Sequence, residues 1–263
     1  MTAQTPEKHL PVGPLVQLPT EEIVEIIGLS GFDFVLIDLE HGAVSIDRLA
    51  GLVRAAEAVS LTPWVRVPGL DEGVISRVLE LGVPRLWFPR LESHDDVNEA
   101  VALTRFGPVG KRGVCNGARA ASYGMDRDRG PLPEEPPEVI IVIETEELLA
   151  ELSECVNTDG VTGVIVGVYD LAAAMGAPNP TDPRVREAVS RAARETNDAG
   201  KEFGYYARRP EQMQEALQFG AAFALCGVDV YTVSDAFRGL ASEVRESEQT
   251  ALAAQGQQNP VRV

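Results

Sequence analysis

Eight times along this chain a short apolar run gives way to an amphipathic segment and then to a turn. "LPVGPLVQL" leads into "TEEIVEIIGLSG". There Thr20 stands at a helix N-cap position, Glu21 and Glu22 complement the helix dipole, and Gly31 falls past the end. "FDFVLIDL" precedes "SIDRLAGLVRAAEAVS", with Ser45 as the cap. "PWVRV" precedes "DEGVISRVLELG", and "RLWFP" precedes "DDVNEAVALTRFG". After a long connection come "EVIIVIE" with "EELLAELSECV". "GVTGVIVGV" follows, and past a short Asp-Leu turn comes "PRVREAVSRAARETNDAG". "EFGYY" with "PEQMQEALQFG" and "AFALCGV" with "VSDAFRGLASEVRESE" complete the series. Strands separated by helices pair in parallel through right-handed crossovers. Eight such units in 263 residues predict a single-domain α/β fold, the (β/α)8 TIM barrel. We expect it to span residues 10–248, with a flexible tail at 1–9 and a frayed one at 249–263. A doubly wound open sheet is the alternative. It is less favoured because no Gly-rich dinucleotide fingerprint follows the first strand.

Composition narrows the class of function. Hydrophobic residues make up 44% of the chain, yet no apolar run approaches the length needed to span a membrane. "MTAQTPEKHL" has no basic-then-apolar signal pattern, so a cytoplasmic protein without a membrane partner is expected. The formal charge is -17. Such a surface repels phosphate backbones and anionic lipids and argues against nucleic-acid binding. A small anionic substrate would need a local arginine cluster or a metal. Cys115, Cys155 and Cys226 form no C-x-x-C and read as ordinary thiols. The connection "GPVGKRGVCNGARAASYGMDRDRGPLPEEPPE" is long and aperiodic, as functional loops often are. It concentrates Lys111, Arg112 and Arg119, and its "PLPEEPP" end reads as an extended linker.

In a barrel, chemistry sits at the C-terminal ends of the strands. "FVLIDLEHG" runs from a buried strand straight into Asp38, Glu40 and His41. Arg66 ends the third strand, Glu144 the fifth and Asp170 the sixth. A barrel would gather them at one mouth. Glu144 and Asp170, leaving buried strands as carboxylates, would carry a desolvation penalty that a divalent cation such as Mg²⁺ or Mn²⁺ removes. His41 beside Asp38 has the form of a base and its orienter. Arg66 offers a fixed fork of donors to an oxyanion. Each residue singly also fits a helix cap or a loop ion pair.

With these residues the sequence resembles the HpcH/HpaI family of metal-dependent class II aldolases, over about Val12 to Glu246. The matching stretches are "GFDFVLIDLEHG", "VRVPG", "KRGVCNGARAASYG", "VIETEE" and "VGVYDLAAAMG". The resemblance implies an aldolase that reversibly cleaves a 4-hydroxy-2-oxo acid to pyruvate and an aldehyde. It implies a divalent metal (Mg²⁺, Mn²⁺ or Co²⁺) on Glu144 and Asp170, and Arg66 stabilising the enolate. His41 and Asp38 would move the proton. Backbone N–H groups near Gly167, Val168, Tyr169 and Asp170 would hold the substrate carboxylate. Arg119 would reach the distal end of an acidic acceptor. It also implies a homo-oligomer, commonly a hexamer that exchanges its last helix.

Three departures stand out. Many relatives carry Gln where this chain has Val142. Arg90 replaces an apolar residue, and either pairs with a rim acid such as Glu92 or recognises an extra carboxylate. Tyr169 replaces a smaller residue and narrows the pocket. Oxaloacetate decarboxylation and citrate-synthase-like condensation of the enolate are the rival reactions, and a binding protein without turnover is the rival class.

Overall fold

The computed structural model describes residues 9–125 and 135–258. Eight strands close in sequence order into one barrel: β1 Val12–Val16, β2 Phe34–Asp38, β3 Thr62–Arg66, β4 Arg85–Phe88, β5 Glu138–Ile143, β6 Gly163–Val166, β7 Glu202–Tyr206 and β8 Phe223–Val228. Every pairing is parallel, including the closing pair of β1 and β8. The predicted barrel is present, and the open sheet is not.

Strand parity explains the long apolar runs. In β2, Phe34 and Leu36 point into the barrel, where they join Trp64, Trp87, Ile140 and Phe223. Val35 and Ile37 point outward into the layer beneath the helices. A strand buried on both faces reads as a continuous hydrophobic stretch rather than an alternation. Phe34 stacks on Trp64 with ring centroids 3.6 Å apart. Small residues make room for these rings, since a Cβ on Gly204 would lie 2.3 Å from the Phe223 ring.

The helices are α1 Glu21–Leu29, α2 Ile46–Ala58, α3 Glu72–Glu80, α4 His94–Thr104, α5 Glu146–Ala150, α6 Leu152–Asn157, α7 Val168–Ala174, α8 Pro183–Asp198, α9 Gln212–Gln218 and α10 Asp229–Gln258. Thr20 caps α1 by accepting from the Ile23 N–H, and Gly31 follows that helix with φ +92°. Ser45 occupies the N-cap of α2, but its hydroxyl makes no capping bond. The fifth unit is broken into α5 and α6, and the Asp-Leu turn of the sixth is the short helix α7. The long connection forms a 3₁₀ turn at Arg119–Gly124. Part of the "PLPEEPP" linker lies outside the described residues, as do 1–8 and 259–263. His9 rests on Asp33, with Nε2 3.0 Å from a carboxylate oxygen.

The expected frayed tail from 249 is instead helical through Gln258. Its Ala- and Gln-rich sequence and pairs such as Arg245 to Glu248, 3.0 Å apart, favour helix over coil. Only the first turn of α10 packs on its own barrel, through Asp229 and Val230. Phe237, Leu240 and Val244 are all exposed along it. Among the described residues, no helix is long and apolar enough to cross a membrane.

At the barrel floor, Arg85 is buried and lies over the Trp64 ring, 4.2 Å from its centroid. Its guanidinium pairs with Glu138 and, at 2.8 Å, with Glu202. Arg85→Ala should therefore lower unfolding stability by about 2–3 kcal/mol, because two acids lose their cation and the ring loses its cap. A fall in the urea midpoint at unchanged slope is the expected result.

Candidate active site

The mouth is organised around one buried ion pair. Asp38 and Arg66 face each other across the β2–β3 register, so parity turns both side chains inward. Arg66 Nε donates to Asp38 Oδ1 at 2.9 Å, and Nη2 donates to Oδ2 at 2.8 Å. Asp38 is fully buried. It also accepts from Gln17 Nε2 at 3.0 Å and from the backbone N–H groups of Glu40 and His41. Burial works to raise its pKa, but the Arg66 hydrogen bonds and charge prevail and hold the carboxyl below its usual range. Burial likewise opposes the charge on Arg66, and Asp38, Glu40 and Glu144 more than restore it.

This geometry corrects the expected pairing of Asp38 with the His41 ring. The bidentate fork of Arg66 takes both Asp38 oxygens, and His41 reaches Asp38 through its main chain alone. The half-exposed imidazole instead has Nε2 3.6 Å from Glu40 Oε1. Glu40, nearly buried, gathers the rest of the rim. Oε1 accepts from Arg90 Nε at 2.8 Å, and Oε2 lies 3.2 Å from Arg66 Nη1. That second contact is off the hydrogen-bond direction, which leaves Oε2 buried without a donor. Arg90 thus pairs with a rim acid, but with Glu40 rather than Glu92. Its backbone is left-handed, with φ 57°, a conformation costly to a residue with a side chain. In that conformation its N–H donates to Glu144 Oε1 at 2.6 Å.

Glu144 follows β5 and is buried, while Thr145 takes the capping role for α5 by accepting from the Leu148 N–H. Burial raises the Glu144 pKa, and the nearby charges of Glu40 and Asp170 raise it further. Oε2 sits close to the Gly167 main chain, where an added Cβ would lie 3.0 Å from it. Asp170 differs from expectation. It lies in the first turn of α7 and is exposed, so the desolvation argument applies to Glu144 alone. Among the described residues no group of three or more His, Cys, Asp or Glu is arranged to hold a metal ion. What the mouth does provide is two hard carboxylates. One is buried, under repulsion from its neighbours and short of compensating positive charge. That donor set fits a divalent cation completed by water and substrate oxygens.

A cavity of about 330 Å³ opens at the mouth. Five of the ten predicted site residues line it: Arg66, Gly167, Val168, Tyr169 and Asp170. Val142 forms part of its floor. The Gly167 N–H is spent on Ile143 O at 2.9 Å. Val168, Tyr169 and Asp170 begin α7, where backbone N–H groups have no intrahelical acceptor and remain available. Arg119 lies elsewhere. It pairs with Glu57 near the end of α2 and donates to Leu81 O after α3, at the opposite end of the barrel. Helices run antiparallel to their strands, so their C-termini lie below the mouth.

Sequence reading passed over Gln17, Tyr206 and Asp229. Asp229 is buried and fixes the end of β1 by accepting from the Gln17 and Leu18 N–H groups at 3.0 and 2.9 Å. All three close a strand, so the strand-end rule applied to β1, β7 and β8 would have found them.

The fold and the charges at its mouth define a (β/α)8 barrel of the kind that carries its chemistry at the strand C-termini. Residues 15–236 match the family model for HpcH/HpaI aldolase/citrate lyase. A 2-keto-3-deoxy-L-rhamnonate aldolase of Escherichia coli O17:K52:H18 is 31% identical over 227 residues, which is 86% of this chain and 85% of that protein. The crystal structure of a family protein from Burkholderia cenocepacia J2315 superposes with a TM-score of 0.85 at 31% identity, covering 90% of this chain and 95% of the other. The citrate synthase SbnG superposes with a TM-score of 0.78 at 27% identity, covering 93% and 95%. The chain belongs to the HpcH/HpaI aldolase/citrate lyase family, and it is a carbon–carbon lyase.

Asp38→Asn should destabilise the protein by about 3 kcal/mol, since it leaves the Arg66 charge buried without its counter-ion. The Asp38 pKa is depressed by folding, so its contribution is complete above the unfolded value of about 3.9 and is lost as pH falls through the lower folded value. Urea titrations of native and variant protein should accordingly diverge at neutral pH and converge in acid.

Proposed function

We propose that the protein reversibly cleaves a 4-hydroxy-2-oxo acid into pyruvate and an aldehyde, with a divalent metal (Mg²⁺, Mn²⁺ or Co²⁺) at Glu144 and Asp170. The observation that carries this reading is Arg66. Its Nε and Nη2 grip Asp38, Nη1 lies 3.2 Å from a Glu40 oxygen without bonding to it, and the guanidinium lines the wall of the mouth cavity. A cation held rigidly by carboxylates costs little reorganisation when negative charge develops on a substrate oxygen. Bound metal would polarise the keto and carboxylate oxygens of the 2-oxo acid.

The remaining roles fall to the chain itself. The Val168, Tyr169 and Asp170 N–H groups receive the substrate carboxylate at the start of α7. Val142, Trp87 and Leu225 give the cavity an apolar floor that excludes water from the reacting carbons. His41 carries the proton of the aldol hydroxyl. Its ring does not line the cavity, so the transfer runs through water, with Glu40 holding the imidazole. The named activity of the Escherichia coli relative supports an aldol reaction of this kind. The likeness to a citrate synthase supports the second reading, in which the same enolate adds to another acceptor or arises by loss of CO₂ from oxaloacetate. The unpartnered apolar face of Phe237, Leu240 and Val244 supports assembly into a homo-oligomer through α10. We place the protein in the cytoplasm, as a barrel domain over 10–248 continued by that helix.

Proton NMR of pyruvate in D₂O tests the reading. Metal-stripped protein should leave the methyl signal intact, and added Mg²⁺, Mn²⁺ or Co²⁺ should restore its loss. Exchange that persists in His41→Ala would remove His41 from the proton path. No exchange despite metal binding would remove pyruvate as the nucleophile.

Arg66→Lys keeps the charge but loses the fork, and should cut aldol turnover on the order of 10²–10³-fold. It is a cleaner variant than Arg66→Ala, which would also strand Asp38. Near-native turnover would exclude Arg66 from transition-state stabilisation. Glu144→Gln should weaken metal binding in calorimetry, and unchanged affinity would refute the ligand assignment.

A further inference from the structure

A second cavity, about 540 Å³, lies against the mouth between β6, β7, α8 and α9. Val166, Val168, Tyr169, Tyr206 and Arg208 line both spaces, so one wall divides them. That wall is built of side chains. The Tyr169 and Tyr206 rings meet edge to face at 6.5 Å and 72°, and Arg208 Nη1 donates to the Tyr169 hydroxyl at 3.2 Å. Tyr169 is half exposed, and turning it aside costs one hydrogen bond to an exposed arginine and one edge-to-face ring contact.

The second cavity has two chemical zones. Its inner surface carries Val189, Phe203 and Phe219. Arg186, also there, is taken up by Glu215 at 2.8 Å, and Glu215 in turn accepts from the Tyr205 hydroxyl at 2.7 Å. The rim carries Arg208 and Arg209. Among the described residues, neither guanidinium has a carboxylate within 4.0 Å, although Glu211 shares the lining. The chain has 40 acidic residues against 23 basic ones, so two adjacent arginines without an acid partner are unusual here. An aromatic, apolar pocket with a few placed charges is the usual form of a small-molecule site.

We propose that this cavity binds the acceptor half of the substrate, an aldehyde with an aromatic or bulky apolar body and a carboxylate held by Arg208 and Arg209. The assignment rests on the aldolase reading above. In the synthetic direction the pyruvate methyl carbon, as its enolate, bonds to the aldehyde carbon in the mouth. The aldehyde oxygen takes up the proton, and nothing leaves. The body of the acceptor passes the Tyr169–Tyr206 wall and lies against the stacked Tyr205 and Phe219 rings, both partly exposed. Tyr169 then acts as a specificity residue by admitting acceptors past the wall.

The test compares kcat/KM for pyruvate with 4-carboxybenzaldehyde and with 4-methylbenzaldehyde, an uncharged aldehyde of similar size. The native enzyme should prefer the acid on the order of tenfold, and Arg209→Glu, a change at an exposed loop side chain, should abolish or invert the preference. A ratio near one in the native enzyme, or one unmoved by Arg209→Glu and by Arg208→Ala, overturns the proposal. The ratio cancels any loss common to both aldehydes. Calorimetry of metal-stripped protein with 4-(hydroxymethyl)benzoate, an unreactive alcohol, separates the two readings. Binding that Arg209→Glu weakens on the order of tenfold, in a protein that turns over no aldehyde, upholds the cavity and defeats the aldolase reading. Aldehyde turnover with no such binding does the reverse.

Discussion

The mouth of the barrel depends on the pairing of Asp38 with Arg66. A carboxylate with no exposure to water is tolerable because five donor contacts converge on it: two from Arg66, one from Gln17 and two from the main chain that follows β2. Those contacts do more than neutralise a charge. The main-chain pair turns the chain sharply after β2, which delivers Glu40 to the space between Arg66 and Arg90. Glu40 then holds Arg90, and the Arg90 main chain holds Glu144. A single salt bridge thereby sets the position of a buried carboxylate two strands away.

The barrel interior repeats this logic at both ends. Arg85 closes the floor beneath Trp64 and Phe223, satisfied by the acids that begin β5 and β7. Arg66 closes the top, satisfied by the acids at and just after the end of β2. Between them lies an apolar layer of Leu36, Trp87, Ile140 and Ile165. The two ends differ in what remains free. Arg85 spends its charge on two acids and an aromatic face, a structural arrangement. Arg66 lies at a cavity wall, and that difference is what fits it, rather than Arg85, to the proposed role in the reaction.

The barrel was legible because a strand covered on both faces leaves a continuous apolar run, and eight such runs alternating with capped helices admit few topologies. The identities of the strand-end charges were legible for the same reason, since parity decides which residues face inward. Choice of partner was not. The sequence suggests His41 as the partner of Asp38, but planar fork geometry gives the two oxygens to Arg66. Asp170 reads as a strand end until the main chain after β6 is seen to enter α7 directly. Arg119 shows the limit most clearly. Its loop is long enough to reach several places, and a partly exposed acid at Glu57 with the Leu81 carbonyl settles it below the barrel.

Charge explains why the mouth takes this form. A chain of net charge -17 repels an incoming 2-oxo acid, and the repulsion grows where Glu40, Glu144 and Asp170 converge. Glu144 feels that repulsion most: burial, with the like charges of Glu40 and Asp170, disfavours its ionised form. In the proposed reaction a divalent cation would relieve the repulsion and supply the attraction in one step. The arginines divide the rest of the work by their partners. Arg66 is rigid because Asp38 grips it, Arg90 is drawn onto Glu40, and Arg208 is joined to a tyrosine hydroxyl alone among the described residues. The proposed roles follow that division: rigidity suits the position where charge would develop during reaction, and a weakly tethered cation suits the position where acceptors would be admitted.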